Sequence, residues 1–129
     1  MSVQAKRRAD YQLPAFSIAT VDLHITLHPT QTQVISTLSV TRNGNHDSPL
    51  ILDGDNLSLN AIAINGNALS DDEYTVSDTL LSISTHLDEF VLEITNTIAP
   101  EQNKALEGLY LSGGAYCTQC EAEGFRRIT

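Results

Sequence analysis

The densest chemistry in the sequence lies close to its end, in Cys117-Thr118-Gln119-Cys120-Glu121-Ala122-Glu123-Gly124-Phe125-Arg126. Two thiols, an amide, two carboxylates and a guanidinium fall within that span. The CxxC spacing of Cys117 and Cys120 is half of a four-cysteine zinc site, but no second CxxC or histidine pair completes it. It is also the spacing of a redox dithiol, which needs its first thiol at a helix start. This neighbourhood reads as β-rich, and Glu121 and Glu123 would make the thiols poorer nucleophiles by favouring their protonated forms. The plain alternative is a pair of reduced cysteines packed as small hydrophobes. Glu121 and Glu123 are close enough to act as an acid/base pair, yet no serine, histidine or metal motif is set beside them. A carboxylate here suits recognition of a ligand ammonium, with the Gln119 amide alongside. A simple surface pair of Glu123 with Arg126 explains the spacing equally well.

Elsewhere the candidates are weaker. His24 and His28 have the spacing of the two histidines in His-Glu-x-x-His, but Ile25 follows the first and the segment alternates like a strand. A strand would still set both rings on one face, without an evident third ligand. Asp53-Gly54-Asp55-Asn56 and Asp71-Asp72-Glu73 are acidic enough for calcium but lack the alternating ligands of an EF-hand loop, and turn chemistry accounts for them. No Gly-rich phosphate loop and no Gly-x-Ser-x-Gly elbow occurs. By itself the sequence contains no complete catalytic apparatus.

The elements that position these residues are β-strands. With 129 residues, 41% of them hydrophobic and none tryptophan, the chain builds one domain with an aliphatic core. Val21, Leu23, Ile25 and Leu27 alternate with Asp22, His24 and Thr26, predicting a half-buried strand. Val34, Leu38 and Val40 predict the inward row of the next one. Shorter strands follow at Leu50–Leu52, Leu57–Ile64, Tyr74–Val76, Leu80–Ser84 and Phe90–Thr97. Asn65-Gly66 is a hairpin signal, because a type I′ turn needs positive φ at both central residues. After the polar link Glu101-Gln102-Asn103-Lys104, Leu106–Leu111 is extended, Ser112-Gly113-Gly114 turns, and Tyr116–Cys120 and Phe125–Thr129 resume strand character. Short strands at this spacing predict an all-β fold, an antiparallel β-sandwich.

Charge narrows the partners. The formal net charge is −9, and between Asn43 and Asn103 there are eleven acids and no Lys or Arg. That balance argues against nucleic acid and against anionic membrane surfaces as partners. The run reads as solvated loops and strand faces, or as a surface that attracts a substrate ammonium. No apolar run is long enough for a membrane helix, Lys6-Arg7-Arg8 is followed by no apolar signal core, and the thiols expect a reducing compartment. The expected location is the cytoplasm.

Ala105-Leu106-Glu107-Gly108-Leu109-Tyr110, followed by Cys117-Thr118-Gln119-Cys120-Glu121-Ala122-Glu123-Gly124-Phe125-Arg126-Arg127-Ile128-Thr129, closely resembles the bacterial aminopeptidase N family, the alanyl-aminopeptidase branch of the gluzincin zinc peptidases. Asp10-Tyr11 with Pro14, and the strand containing Val21-Asp22-Leu23, are similar in character to the start of those enzymes. The resemblance implies a saddle-shaped N-terminal β-sandwich that covers part of a thermolysin-like active site. It implies that Glu121 binds the free α-ammonium of a peptide and that Gln119 lines the pocket for its first side chain. It also implies that zinc, with its His-Glu-x-x-His motif and the Gly-Ala-Met-Glu-Asn substrate motif, belongs to a peptidase domain absent from these 129 residues. Residues 1–129 would then be a single, incomplete N-terminal domain, inactive alone and binding no metal itself. Its exposed strand edges would favour homo-oligomers. Two other readings are a stand-alone β-sandwich binding or adaptor module, and a thiol module built on Cys117 and Cys120.

Overall fold

The computed structural model describes residues 7–55 and 57–119. Along this span run strands β1 (Phe16–Thr26), β2 (Thr32–Arg42), β3 (Leu50–Asp53), β4 (Ser58–Ile64), β5 (Asn67–Ala68), β6 (Tyr74–Val76), β7 (Leu80–Ile83), β8 (Glu89–Ile98), β9 (Gly108–Ser112) and β10 (Ala115–Gln119). Single 3-10 turns occupy Arg8–Asp10 and Pro100–Gln102. The strands assemble into a five-stranded sheet ordered β1-β2-β8-β4-β5, a three-stranded sheet β3-β7-β6 and the hairpin β9-β10. Every pairing is antiparallel. The all-β antiparallel architecture expected from the alternation is thus the one observed.

The core lies between the two larger sheets. On β2, Val34, Leu38 and Val40 are buried, and they stand opposite Asn96, Leu92 and Phe90 of β8. On β4, Ile62 and Ile64 continue the same layer opposite Ile94 and Leu92. The smaller sheet lays Leu50 and Ile83 on it, and Phe16 closes one end of the cluster. The Asn65-Gly66 turn has the expected positive φ at both positions, 51° and 82°. Its Asn65 carboxamide also accepts the Val91 backbone N–H at 2.9 Å, tying the hairpin to β8.

β1 corrects one expectation. Its alternation is real, and Val21 and Ile25 do stand opposite the buried Leu38 and Val34. The strand is nevertheless not half-buried: Val21, Leu23 and Ile25 keep 54%, 51% and 40% of their surface exposed. The reason is coverage, since the three-stranded sheet lies over only part of the inner face. Between the sheets an open apolar groove of about 480 Å³ remains, with Ile18 and Val21 on one wall and Val76 and Leu80 on the other.

Leu106 also departs from the extended reading. It has φ 57°, in the left-handed region, and strand β9 begins only at Gly108.

Candidate functional site

The first residues of the polar knot, Cys117, Thr118 and Gln119, are carried by the β9–β10 hairpin. Its turn is set locally: Gly113 and Gly114 have φ 58° and 82°, the pair of positive values that a two-residue type I′ connection requires. Its root is set by tertiary contacts. After β8, the Pro100–Gln102 turn is held by the Glu101 N–H donating to the Pro29 carbonyl at 2.9 Å. Asn103 then acts as a clasp. Its side-chain amide donates to the carbonyls of Glu107 at 2.8 Å and Leu109 at 2.9 Å. Its side-chain oxygen accepts the Ala105 N–H at 3.1 Å. Leu109 is buried against Val34 and Ile98, with Leu57 packed beside them, and this pins the hairpin to the end of the large sheet.

The clasp has a measurable consequence. Asn103→Ala leaves two carbonyls without their donor, and an orphaned part-buried acceptor costs about 1–3 kcal/mol. The β10 amides are therefore expected to exchange with solvent faster, while those of β2 and β8 keep their protection. Equal protection of β10 in the variant and the parent would show that Asn103 does not hold the root.

The register decides what the hairpin presents. Thr118 stands opposite the anchored Leu109, Cys117 opposite Tyr110 and Gln119 opposite Gly108. Side chains alternate across a strand, so Cys117 and Gln119 share the face turned away from Leu109. Gln119 is exposed at the end of β10, beside the hairpin root rather than at its tip. Glu121, the partner expected from the sequence, lies outside the described residues, as do Cys120, Glu123 and Arg126.

Cys117 is half-buried in mid-strand, with its thiol 3.7 Å from the Ala115 carbonyl. A strand interior lacks the helix N-terminus that would activate a redox thiol, so packing suits this residue better. The two histidines do not converge either. β1 ends at Thr26, and His28 lies in the following turn, where its Nδ1 accepts the N–H groups of Thr30 at 3.2 Å and Gln31 at 3.1 Å. The acidic segment at 71–73 is spent on local structure: Glu73 accepts the Ser70 N–H at 2.8 Å, and Asp71 accepts the Tyr74 hydroxyl at 3.2 Å. That second bond, ahead of desolvation and charge repulsion, raises the tyrosine pKa above its ordinary value. Among the described residues no group of three His, Cys, Asp or Glu side chains is placed to hold a metal ion. No helix of the described residues is long and apolar enough to cross a membrane.

Arg42 and Asn96, two of the three buried polar residues among those described, escaped the reading of motifs. Arg42 ends the inward row of β2, and Asn96 sits on the inner face of β8 with its side-chain oxygen lacking a hydrogen-bond partner. Strand parity was the available signal for both, since they continue the rows 38, 40, 42 and 92, 94, 96.

No protein-family model matches the chain. In sequence it is similar to aminopeptidase N of Caulobacter vibrioides, with 51% identity over 126 residues, covering 98% of this chain and 15% of that protein. It is 44% identical to aminopeptidase N of Escherichia coli, covering 98% of this chain and 14% of the relative. Aminopeptidase N of Haemophilus influenzae is 38% identical across the full chain. Among solved structures, Legionella pneumophila aminopeptidase A in complex with aspartic acid superposes with a TM-score of 0.80 at 29% identity, over 95% of this chain and 15% of that one. An M1 zinc metallopeptidase of Deinococcus radiodurans, bound to a Tyr-Ser-Ala substrate, shares the fold with a TM-score of 0.68 at 18% identity, over 89% of this chain and 28% of that one. The chain therefore matches the N-terminal part of aminopeptidase N and spans about 15% of the length of the relatives it matches.

Proposed function

We propose that this chain, a counterpart of the N-terminal part of aminopeptidase N, forms one wall of the substrate site of a zinc-dependent aminopeptidase that removes amino-terminal residues from peptides. The observation that carries the reading is identity of 38–51% to three aminopeptidase N proteins across nearly the whole chain. The chemistry agrees with it. An exopeptidase must measure a free amino terminus, and a site built to pair a substrate's charged group rejects molecules that lack it. Glu121 supplies that charge in this reading, and Gln119, presented by a hairpin clasped at its root, lines the pocket for the first side chain. Residues 1–129 act as an incomplete N-terminal sandwich domain of a cytoplasmic enzyme. Zinc belongs to the full-length enzymes. In this reading its ligands and the hydrolytic step belong to the remainder of such a protein.

The test has two arms. The isolated chain, supplied with zinc, is expected to release no alanine from an alanyl reporter, and release by this chain alone would overturn the division of labour. In the full-length context, Gln119→Ala is expected to change the ratio of kcat/KM between small and large first side chains several-fold, as contacts in a side-chain pocket do. Unchanged ratios would remove Gln119 from the pocket. A full-length protein without peptidase activity would favour the adaptor reading instead.

A further inference from the structure

Two side chains hold the connection between β1 and β2, His28-Pro29-Thr30-Gln31. The Nδ1 atom of His28 accepts the backbone N–H groups of Thr30 at 3.2 Å and Gln31 at 3.1 Å, and the Thr30 hydroxyl lies 3.3 Å from it. A ring nitrogen that accepts N–H donors carries no proton, so the neutral imidazole bears its proton on Nε2. Asparagine and aspartate close turns in the same manner, with a side-chain oxygen accepting the N–H two residues on. Thr32 secures the other end. It is fully buried, and its hydroxyl accepts the His28 N–H at 2.9 Å while donating to the His28 carbonyl.

The turn fixed in this way abuts the root of the β9–β10 hairpin. The Pro29 carbonyl, in the middle of it, accepts the Glu101 N–H at 2.9 Å. The N–H groups of Gln102 and Asn103 donate to the Ala99 and Pro100 carbonyls at 3.0 and 3.3 Å, which carries the constraint to the Asn103 clasp. Thr32 also stands opposite Ile98 on β8, and Val34 lies two residues further along the same face of β2. Ile98 and Val34 are the residues against which Leu109 is buried. A turn that served only to join two strands would leave the Pro29 carbonyl to water. Here it is committed to the segment from which the hairpin rises. We propose that His28 and Thr32 are positioning residues for the β9–β10 hairpin, fixing through the Pro29 carbonyl the place at which Gln119 is presented. The consequence for substrate rests on the reading of Gln119 as a wall of the first side-chain pocket. Both residues act through the hairpin, and small displacements of a positioned group are enough to alter turnover.

Hydrogen exchange and kinetics on the same full-length enzyme test this. His28→Ala removes the acceptor at an exposed position. Residues 28–31 and 101–119 are expected to exchange faster, by up to about tenfold, the equivalent of one hydrogen bond. The far ends of β2 and β8, where Val40 faces Phe90, keep their protection. The ratio of kcat/KM between small and large first side chains is expected to move in the direction set by Gln119→Ala, by a smaller factor. His28→Asn supplies an oxygen that can accept the same N–H groups and is expected to return both readouts to the parent values. Thr32→Val keeps the volume and the branch but lacks the hydroxyl, and should repeat the alanine effect. If that buried variant fails to fold, His28→Ala and His28→Asn still decide the question. Unchanged exchange over residues 101–119 in His28→Ala overturns the proposal, as does asparagine restoring no more than alanine. Faster exchange with an unmoved ratio, where Gln119→Ala moves it, also overturns it. Should Gln119→Ala itself leave the ratio unmoved, the pocket reading falls, and exchange with its asparagine rescue decides alone whether His28 seats the hairpin.

Discussion

Arg42→Met is expected to destabilise the chain by about 3 kcal/mol or more, because each part-buried carbonyl left without its donor costs about 1–3 kcal/mol. The guanidinium is 4% exposed at the end of β2. It donates to the backbone carbonyls of His46 at 2.9 Å, Ser48 at 3.2 Å, Thr85 at 2.5 Å and Leu87 at 3.3 Å. It also lies over the Phe16 ring, 4.8 Å from its centre. One planar fork thus holds together the connection after β2, the connection before β8 and the start of β1. The ion pair to Asp88 is the lesser part, because it spans 3.6 Å and its carboxylate is 87% exposed. An exposed partner of that kind contributes at most about 1 kcal/mol. Asp88→Ala is therefore expected to move the urea midpoint slightly, and Arg42→Met to move it severely. Lysine is no substitute, since its point charge cannot serve several carbonyls in one plane. Similar small losses in both variants would show that the carbonyl network does not carry the stability assigned to it.

The second large effect belongs to chemistry rather than to folding. We propose that in the full-length enzyme Glu121→Ala lowers kcat/KM on peptides with free amino termini by about 2–5 kcal/mol, the cost of truncating one partner of a buried charge pair. A fall of roughly 30-fold or more is the corresponding rate change. The role is tied to charge, so inhibition by an amine-bearing amino acid should weaken. Inhibition by the same molecule without its amino group should not. An unchanged kcat/KM, or equal weakening of both inhibitors, would count against Glu121 as the ammonium's partner. Gln119, two residues earlier at the end of β10, is the described position closest in sequence to that carboxylate.

Sequence alone carried much of the architecture, because strands and tight turns are short-range. Side chains alternate with period two wherever a strand has two unlike faces, and β2 follows the row read from it. Asn65-Gly66 and Gly113-Gly114 adopt positive φ because few other residues tolerate it cheaply. The resemblance to aminopeptidase N was equally legible, since the segments Ala105–Tyr110 and Cys117–Thr129 that carry it are each continuous and lie close together in the chain. What alternation cannot report is coverage. Val21, Leu23 and Ile25 have the pattern of a buried face, and only the placement of the second sheet shows that they lie open. Composition counts Arg42 as one more surface base. Its burial depends on carbonyls 43 and 45 residues away in sequence, brought to it by the pairing of β2 with β8. The same holds for the site. The glycines determine that a hairpin forms there, but its seat comes from Asn103 and Leu109 closing against the end of the large sheet. Local preference chooses strand and turn, whereas burial and presentation depend on residues far apart in the chain, which only the folded structure brings together.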